Sequence, residues 1–192
     1  MAAGHLQGQG LSAEAAEWQR EYARAAQFAG SKKDSALILT TRLLDRLRTQ
    51  KALDSPFGLQ VQLLHSEALI HNDSNQTSLS LLLILKTKSE QQRQWKIYAE
   101  TCRAIGLIEE YLGDRQASIA HLRMAQATIQ KHHLDSIYAP FAVRLASHFR
   151  VFGEPDSAVF YAQKALVHAP KWGQTFEEAE ANLILGLISK TQ

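Results

Sequence analysis

The sequence predicts an all-α protein built from stacked helix pairs, and three observations lead to this prediction. Glycine and proline are sparse, with 10 and 4 residues among 192, and they separate stretches rich in Ala, Leu, Gln, Glu, Lys and Arg. These residues favour helices, and the alternating apolar–polar pattern of half-buried β-strands is missing. Landmark residues also recur every 40 positions. A fixed period of this length indicates a repeated two-helix unit.

The starts and ends of the predicted helices are marked by capping residues. Asp135-Ser136 precedes an apolar run and Asp156-Ser157 follows Pro155, which are typical N-terminal signals. Gly113 and Gly153 supply the left-handed residue that ends a helix. The predicted helices span 12–29, 33–50, 56–71, 75–88, 92–112, 114–131, 136–152, 155–168 and 173–191. Residues 1–11 are predicted to be a disordered leader, and 12–192 a single repeat domain.

The 40-residue period is carried by small residues. Two antiparallel helices approach closely only where small side chains lie at the crossing point, with larger apolar neighbours beside them. A single pair cannot bury its apolar face alone, so successive pairs must stack. Positions 40 residues apart carry Ser66, Gly106, Ala146 and Gly186; the turn residues Asp73, Gly113 and Gly153; and, after the turn, Ser78, Ser118 and Ala158, followed by Leu82, Leu122 and Ala162.

Two segments resemble tetratricopeptide repeats. The motif positions in 96–130 are Ala104-Ile105-Gly106-Leu107, Gly113-Asp114, Ser118, Leu122 and Ala125, and those in 136–170 are Leu145-Ala146, Phe149, Gly153, Ala158, Tyr161, Ala165 and Pro170. Cys102 and Ala142 replace the tryptophan of the consensus, and the period exceeds the usual ~34 residues. The resemblance implies an α-α superhelix of about four helix pairs plus a terminal helix.

The resemblance also implies a binding groove formed by the first helix of each pair. The family's groove-facing positions correspond here to Glu67, His71, Glu100, Arg103, Leu107, Glu110, Tyr111, Ser147 and Arg150. Tyrosine and arginine often dominate binding energies, so the set suits a protein or peptide partner. The phrase Asp156–Leu166 resembles repeats of bacterial sensor kinases and transcription regulators. The predicted function is therefore a non-catalytic sensing or docking region, with a small-ligand or signal-peptide receptor as the alternative.

Composition and spacing exclude several other classes of function. Lys and Arg total 21 against 19 Asp and Glu, a net charge of +2 without a basic block, so nucleic-acid binding is not expected. No apolar run reaches the ~20 residues that a membrane-spanning helix needs. The adjacent His132 and His133 diverge on a helix, and no zinc-protease motif occurs, so no metal site and no cofactor are predicted.

Catalytic motifs are also missing from the sequence. There is no G-x-S-x-G, phosphate loop or dinucleotide fingerprint. Cys102, the single cysteine, lies at a packing position and is expected to be inert, because burial raises the pKa of a thiol. His65 replaces an aliphatic residue at a packing position, so we expect a buried, hydrogen-bonded imidazole there.

The last predicted helix is apolar around much of its circumference. Phe176, Leu183 and Leu187 belong to this surface, which a second helix would normally cover. Two explanations remain open at this point. Either the sequence is part of a longer array, or the surface is covered by another protomer or a partner. A homodimer formed through the C-terminal helix, and thus an oligomerisation module, is one such outcome.

Overall fold

A computed structural model describes the backbone of residues 3–29 and 31–190, and the side chains of 14–29 and 31–190. All the regular structure in these residues is helical. The helices are α1 (Ala3–Phe28), α2 (Lys33–Thr49), α3 (Pro56–His71), α4 (Asn75–Gln91), α5 (Trp95–Tyr111), α6 (Arg115–Lys131), α7 (Tyr138–Val151), α8 (Pro155–His168) and α9 (Thr175–Ser189), with short 3₁₀ turns at Asp135–Ile137 and Ala169–Trp172. The all-α prediction is confirmed.

The N-terminal boundary differs from the sequence-based expectation. Helix α1 begins at Ala3, within the segment 1–11 for which a disordered leader is predicted. Gly8 and Gly10 lower helix propensity by about 1 kcal/mol each, which weakens a helix without forbidding it. Ala25, near the other end of α1, is fully buried. The helix is therefore held by packing at its C-terminal half.

The turns between helices repeat a left-handed residue at 20-residue intervals. Such a residue terminates a helix by redirecting the chain, and glycine adopts it without steric cost. Three of these positions are glycine, but the others carry side chains at φ values of 51–58°. The interval is half the 40-residue period, so it marks both kinds of turn, within and between helix pairs. The residues are Asp73, Arg93, Gly113, His133, Gly153 and Gly173.

The chain divides into two compact units, Met1–Leu85 and Lys86–Gln192. A single repeat domain over 12–192 stays a prediction. In the first unit, Leu43, Leu47 and Val61 form a core between α2 and α3, against which Trp18 and Tyr22 of α1 pack. None of the described helices is long and apolar enough to cross a membrane.

The second unit contains both segments that resemble tetratricopeptide repeats. A core of Cys102, Leu122 and Phe141 with their neighbours joins α5, α6 and α7. An alanine-rich core joins α7, α8 and α9 and includes Ala146 and Ala158, which are 0% exposed. At Gly106, an added Cβ would lie 3.0 Å from Leu122 Cγ and 3.2 Å from the Ser118 carbonyl oxygen. Small residues at 40-residue intervals thus allow the close helix crossings that the sequence predicts.

A hydrogen bond repeats with the same period. The Ser118 hydroxyl on α6 donates to the Gly106 carbonyl of α5 at 2.8 Å. In the first unit, the Ser78 hydroxyl on α4 donates to the Ser66 carbonyl of α3, also at 2.8 Å. Both pairs join a second helix to the crossing residue of a first helix. Backbone packing therefore reproduces the sequence repeat in each unit separately.

Candidate functional site

The candidate site lies on the second unit, on the face formed by its first helices. Helices α5, α7 and α9 are neighbours, and α6 and α8 pack against α5 and α7 as the second helices of the pairs. We call the exposed side of α5, α7 and α9 the first-helix face. The sequence places Glu100, Arg103, Leu107, Glu110, Tyr111, Ser147 and Arg150 there; Glu100, Arg103, Leu107 and Ser147 are half-buried, and Tyr111 and Arg150 are exposed.

Glu110 is also predicted to lie on this face, but in the structure its side chain is buried. Its residue is only 8% exposed, and its Oε1 atom accepts a hydrogen bond from Arg144 Nη2 at 2.5 Å. Burial raises the pKa of Glu110, while the Arg144 guanidinium acts in the opposite direction. Burial likewise lowers the pKa of Arg144, against the stabilising charge of Glu110. Glu110 is thus a structural partner of Arg144 beneath the face. Removing either member of a buried ion pair leaves the other charge uncompensated and strongly destabilises the fold.

His148 on α7 extends this pair into a buried polar network. Its side chain is fully buried, with Nδ1 3.1 Å from Ser118 Oγ and 3.4 Å from Glu110 Oε2. Because the Ser118 hydroxyl already donates to the Gly106 carbonyl, we assign the ring proton to Nδ1, from which it is donated to Ser118. Burial, followed by the charges of Arg144 and Arg115, lowers the pKa of His148 to about 4. The imidazole is therefore neutral at pH 7.

This Ser–His–Glu grouping does not have the geometry of a nucleophile relay. A relay needs the serine and the carboxylate on opposite ring nitrogens, so that the base can take the serine proton. Here Ser118 and Glu110 both face Nδ1, and Nε2 has no hydrogen-bond partner among the described residues. Ser118 is also 0% exposed, out of reach of a substrate. The network stabilises the packing of α5, α6 and α7.

Several charged groups surround Arg144 at the first-helix face. The charges of Arg103 and Glu180 both act on the pKa of Arg144, as does Tyr111. Burial raises the pKa of Glu180 on α9, which Arg144 and Arg103 then oppose. Tyr111 leaves 60% of its surface exposed. Charged or aromatic side chains of α5 and α9 thus lie within electrostatic reach of Arg144 on α7.

The sequence-based site lacked Arg144, His148 and Glu180. The sequence did contain a signal for Arg144 and His148. In the other repeats, the positions 40 or 80 residues away carry apolar residues. Arg144 corresponds to Leu64, Ala104 and Ile184, and His148 corresponds to Ala68, Ile108 and Ile188. Polar residues at apolar register positions are informative, since a buried polar group requires a partner. Nothing in the local sequence marks Glu180.

The two predicted residues on α3 belong to the first unit and are described there. Glu67 is half-buried and His71 is exposed. On the same helix, His65 Nδ1 lies 3.0 Å from Thr40 Oγ1, and burial lowers the pKa of His65. The expected hydrogen bond is present at this position, but the imidazole is half-buried rather than buried.

The first unit also has an open trough of about 970 Å³ between α1 and α2. Arg46 donates hydrogen bonds to Glu17 and Glu21 there, at 3.1 and 3.0 Å. The sequence-predicted groove residues lie elsewhere. Because these charged groups are paired with one another, the trough shows no preference for a positively or a negatively charged ligand. The lining residues are Glu14, Glu17, Trp18, Leu37, Ile38, Thr41, Arg42, Asp45, Arg46, Thr49 and Gln50.

On α9, the residues predicted for self-association are exposed apolar side chains. Phe176, Leu183 and Leu187 have 67%, 61% and 40% of their surfaces exposed. The opposite side of the same helix is buried through Ala181, Ile184 and Ile188. Helix α9 thus presents apolar groups on two sides, as the sequence predicts, and the partner for the exposed side stays a prediction.

Comparison with known proteins identifies the fold. No protein-family model and no curated protein sequence matches the chain. The structure is similar to aspartyl phosphate phosphatase F from Bacillus subtilis, over 90% of this chain with a TM-score of 0.71 and 13% identity. It is also similar to a Rap protein complexed with Competence and Sporulation Factor, over 89% with a TM-score of 0.75 and 16% identity.

The chain spans less than half the length of these two proteins, 45% and 47% respectively. A third similar structure contains nearly identical TPR-like repeats of a kinesin light chain described from Podospora anserina. It matches 92% of this chain and 97% of its own length, with a TM-score of 0.62 and 15% identity. At these identities the similarity establishes the fold alone. The chain accordingly has the tetratricopeptide-like helical-repeat fold that its sequence resembles.

Proposed function

We propose that this chain is a non-catalytic scaffold that binds a protein or peptide segment at the first-helix face of its second unit. The observation that carries the proposal is the patch around Arg144. There, Arg103 and Tyr111 of α5 and Glu180 of α9 lie close enough to act electrostatically on Arg144 of α7. A surface with both charge signs and an exposed aromatic ring matches the mixed chemistry of a polypeptide.

The energetic argument rests on Tyr111 and the arginines. Tyrosine buries a large, rigid side chain at small entropic cost, and arginine donates several hydrogen bonds in a fixed geometry. Beneath them, the Arg144–Glu110 ion pair at 2.5 Å holds the floor of the patch in place before a partner arrives. A positioned group loses less conformational freedom on binding, which increases affinity.

We also propose that the binding serves the sensing or docking part of a bacterial signalling or regulatory protein. One similar structure is titled as a complex with Competence and Sporulation Factor, and another comes from Bacillus subtilis. Both of those chains are about twice as long as this one. In a protein of that kind, the repeat array would act together with other parts of the polypeptide, as the resemblance to bacterial regulators implies.

Selection of a random peptide library on the 192-residue chain tests the binding proposal. We expect selected peptides to lose at least tenfold in affinity when Tyr111 or Arg103 is changed to alanine, measured by fluorescence anisotropy. Matched controls lie on second helices, where Phe160 and Arg123 are exposed. Phe160→Ala and Arg123→Ala should change affinity less than twofold.

Three results would refute the proposal. Selected peptides that bind all four variants equally would place the site away from the first-helix face. A library that yields no specific binder at all would contradict a peptide-binding scaffold. Affinity that depends on Trp18 or Ile38 instead would move the site to the trough between α1 and α2.

A further inference from the structure

Exposed apolar side chains gather at the C-terminal ends of α5 and α7. Tyr111 ends α5 and Val151 ends α7, and both leave more than half of their surface exposed. The two positions are 40 residues apart, so they are equivalent in the repeat, and their helices are neighbours. Leu112, the residue after α5, is exposed to the same degree. We call Tyr111, Leu112, Arg150 and Val151 the C-terminal edge of the first-helix face.

The N-terminal ends of the same helices differ, because their aromatic rings have partners within the unit. Trp95 at the start of α5 stacks on His132, with the ring centroids 4.5 Å apart. Tyr138 at the start of α7 lies 4.3 Å from the His168 ring and 6.2 Å from the Phe141 ring. Folding of the described residues therefore covers the apolar groups at one end of these helices and leaves those at the other end exposed. An exposed apolar patch rimmed by polar groups is typical of a contact surface.

A cation without an ion pair adjoins this apolar patch. Arg150 lies in the last turn of α7, is exposed, and forms no ion pair with any residue that the structure describes. Its positive charge acts on Glu110, so the guanidinium lies within electrostatic reach of α5. Glu110 is already held by Arg144 below the face. Arg150 is therefore able to pair with a group of a partner.

The charged groups in the adjoining turns are engaged with one another or with a helix end. Arg115 and Glu154 form an ion pair between the two turns. The Asp114 carboxylate accepts a hydrogen bond from a backbone N–H of α6, where the positive end of the helix dipole offsets its charge. With these contacts made, Arg150 leaves an excess of positive charge beside the apolar patch. Charge complementarity therefore favours a partner that brings a carboxylate to this edge.

We propose that the segment bound at the first-helix face is acidic and apolar, with an aromatic or aliphatic side chain next to an aspartate or glutamate. The apolar side chain packs on Tyr111 and Val151, and the carboxylate pairs with Arg150. This inference rests on the proposed function and names the chemistry of its partner. An arginine can hold a carboxylate through two parallel hydrogen bonds, which fixes the orientation of the segment as well as its charge.

Peptides selected from a random library on the 192-residue chain test this chemistry. We expect their sequences to be enriched in aspartate and glutamate next to apolar residues. Because an exposed ion pair contributes modestly, Arg150→Ala should weaken binding about two- to fivefold in fluorescence anisotropy, and Arg150→Glu about tenfold at low salt. Val151→Ser should weaken binding about fivefold, through lost apolar burial. Matched controls lie on second helices, where Arg123→Glu and Val167→Ser should each change affinity less than twofold.

A charge swap separates direct contact from an effect on folding. Replacing the acidic residue of a selected peptide by lysine should weaken its binding to the wild type about tenfold. The Arg150→Glu variant should bind this lysine peptide at least threefold more tightly than the wild type does. A variant that was merely misfolded would bind both peptides weakly. The Arg123→Glu control should show no such preference for the lysine peptide.

The outcomes distinguish this inference from the proposed function. Peptides that depend on Tyr111 and Arg103 but bind Arg150→Glu as tightly as the wild type would overturn the acidic partner and leave the binding face intact. Selected peptides rich in lysine or arginine would do the same. If selection yields no specific binder, or binders indifferent to Tyr111 and Arg103, the proposed function fails and this inference fails with it.

Discussion

Replacing His148 by leucine should remove a large part of the acid sensitivity of this protein. The wild-type imidazole is fully buried, and burial with the charges of Arg144 and Arg115 lowers its pKa to about 4. In the unfolded chain the pKa returns to 6.5. The register places isoleucine at the equivalent positions 108 and 188, so a leucine side chain suits the site.

The sign and size follow from these two pKa values. Above pH 6.5 the imidazole is neutral in both states, and its contribution to stability is complete. Between pH 6.5 and 4 the unfolded state binds the proton first, so the free energy of unfolding falls by roughly 1.4 kcal/mol per pH unit. The total loss is about 3 kcal/mol for a shift of this size. Glu110 acts oppositely, because its raised pKa adds stability as the pH falls.

Urea denaturation at pH 7, 5.5 and 4 measures this difference. We expect the wild type to lose about 3 kcal/mol more than His148→Leu over that range. His71→Leu is a matched control, because it removes an exposed histidine on α3. Equal pH dependence in the wild type and His148→Leu would refute the burial argument, as would an imidazole that titrates near pH 6.5 in the folded protein by NMR.

Three further predictions concern packing and reactivity. Gly58→Ala should destabilise the protein by about 1–3 kcal/mol in urea melts, because the new Cβ would lie 2.3 Å from the Leu53 carbonyl oxygen. Gly186→Ala should instead stabilise the protein by about 0.5–1 kcal/mol, because its Cβ would meet nothing within 4 Å and alanine favours the helix over glycine. Ser118→Ala should cost more than Ser78→Ala, at about 1 kcal/mol per lost hydrogen bond, because Ser118 also accepts from His148. Burial raises the pKa of the Cys102 thiol to about 11, so a disulfide reagent should label it at least 100-fold more slowly in the folded protein than in urea.

The helical part of the fold was predictable because its signals are local. Predicted and observed bounds agree at 56–71 and 155–168, where Pro56 and Pro155 occupy the first helical turn. Gly113 and Gly153 adopt the left-handed conformation that their turns require. Arg93 and His133 adopt it too, and their identity gives no such indication. Those helix ends were recognisable only from the repeat.

The candidate site was harder to predict because burial depends on contacts between distant segments. Glu110 matches a groove position of the repeat family, yet Arg144, 34 residues later, pairs with it below the surface. The period indicates which position faces a neighbouring helix. It does not indicate whether a charge there finds a partner. Only the three-dimensional packing of α5 against α7 decides that.

The two histidine–hydroxyl contacts suggest why a repeat array retains buried polar groups. His65 meets Thr40 in the first unit, and His148 meets Ser118 in the second. Apolar stripes of similar repeats fit one another in more than one order, so they specify neighbours weakly. Helix α8 carries Ala158 at the register position that Ser118 occupies in α6. If α8 took the place of α6, the Nδ1–H of His148 would be buried without its acceptor. That loss of about 1–3 kcal/mol would penalise the wrong neighbour while leaving the correct one unaffected.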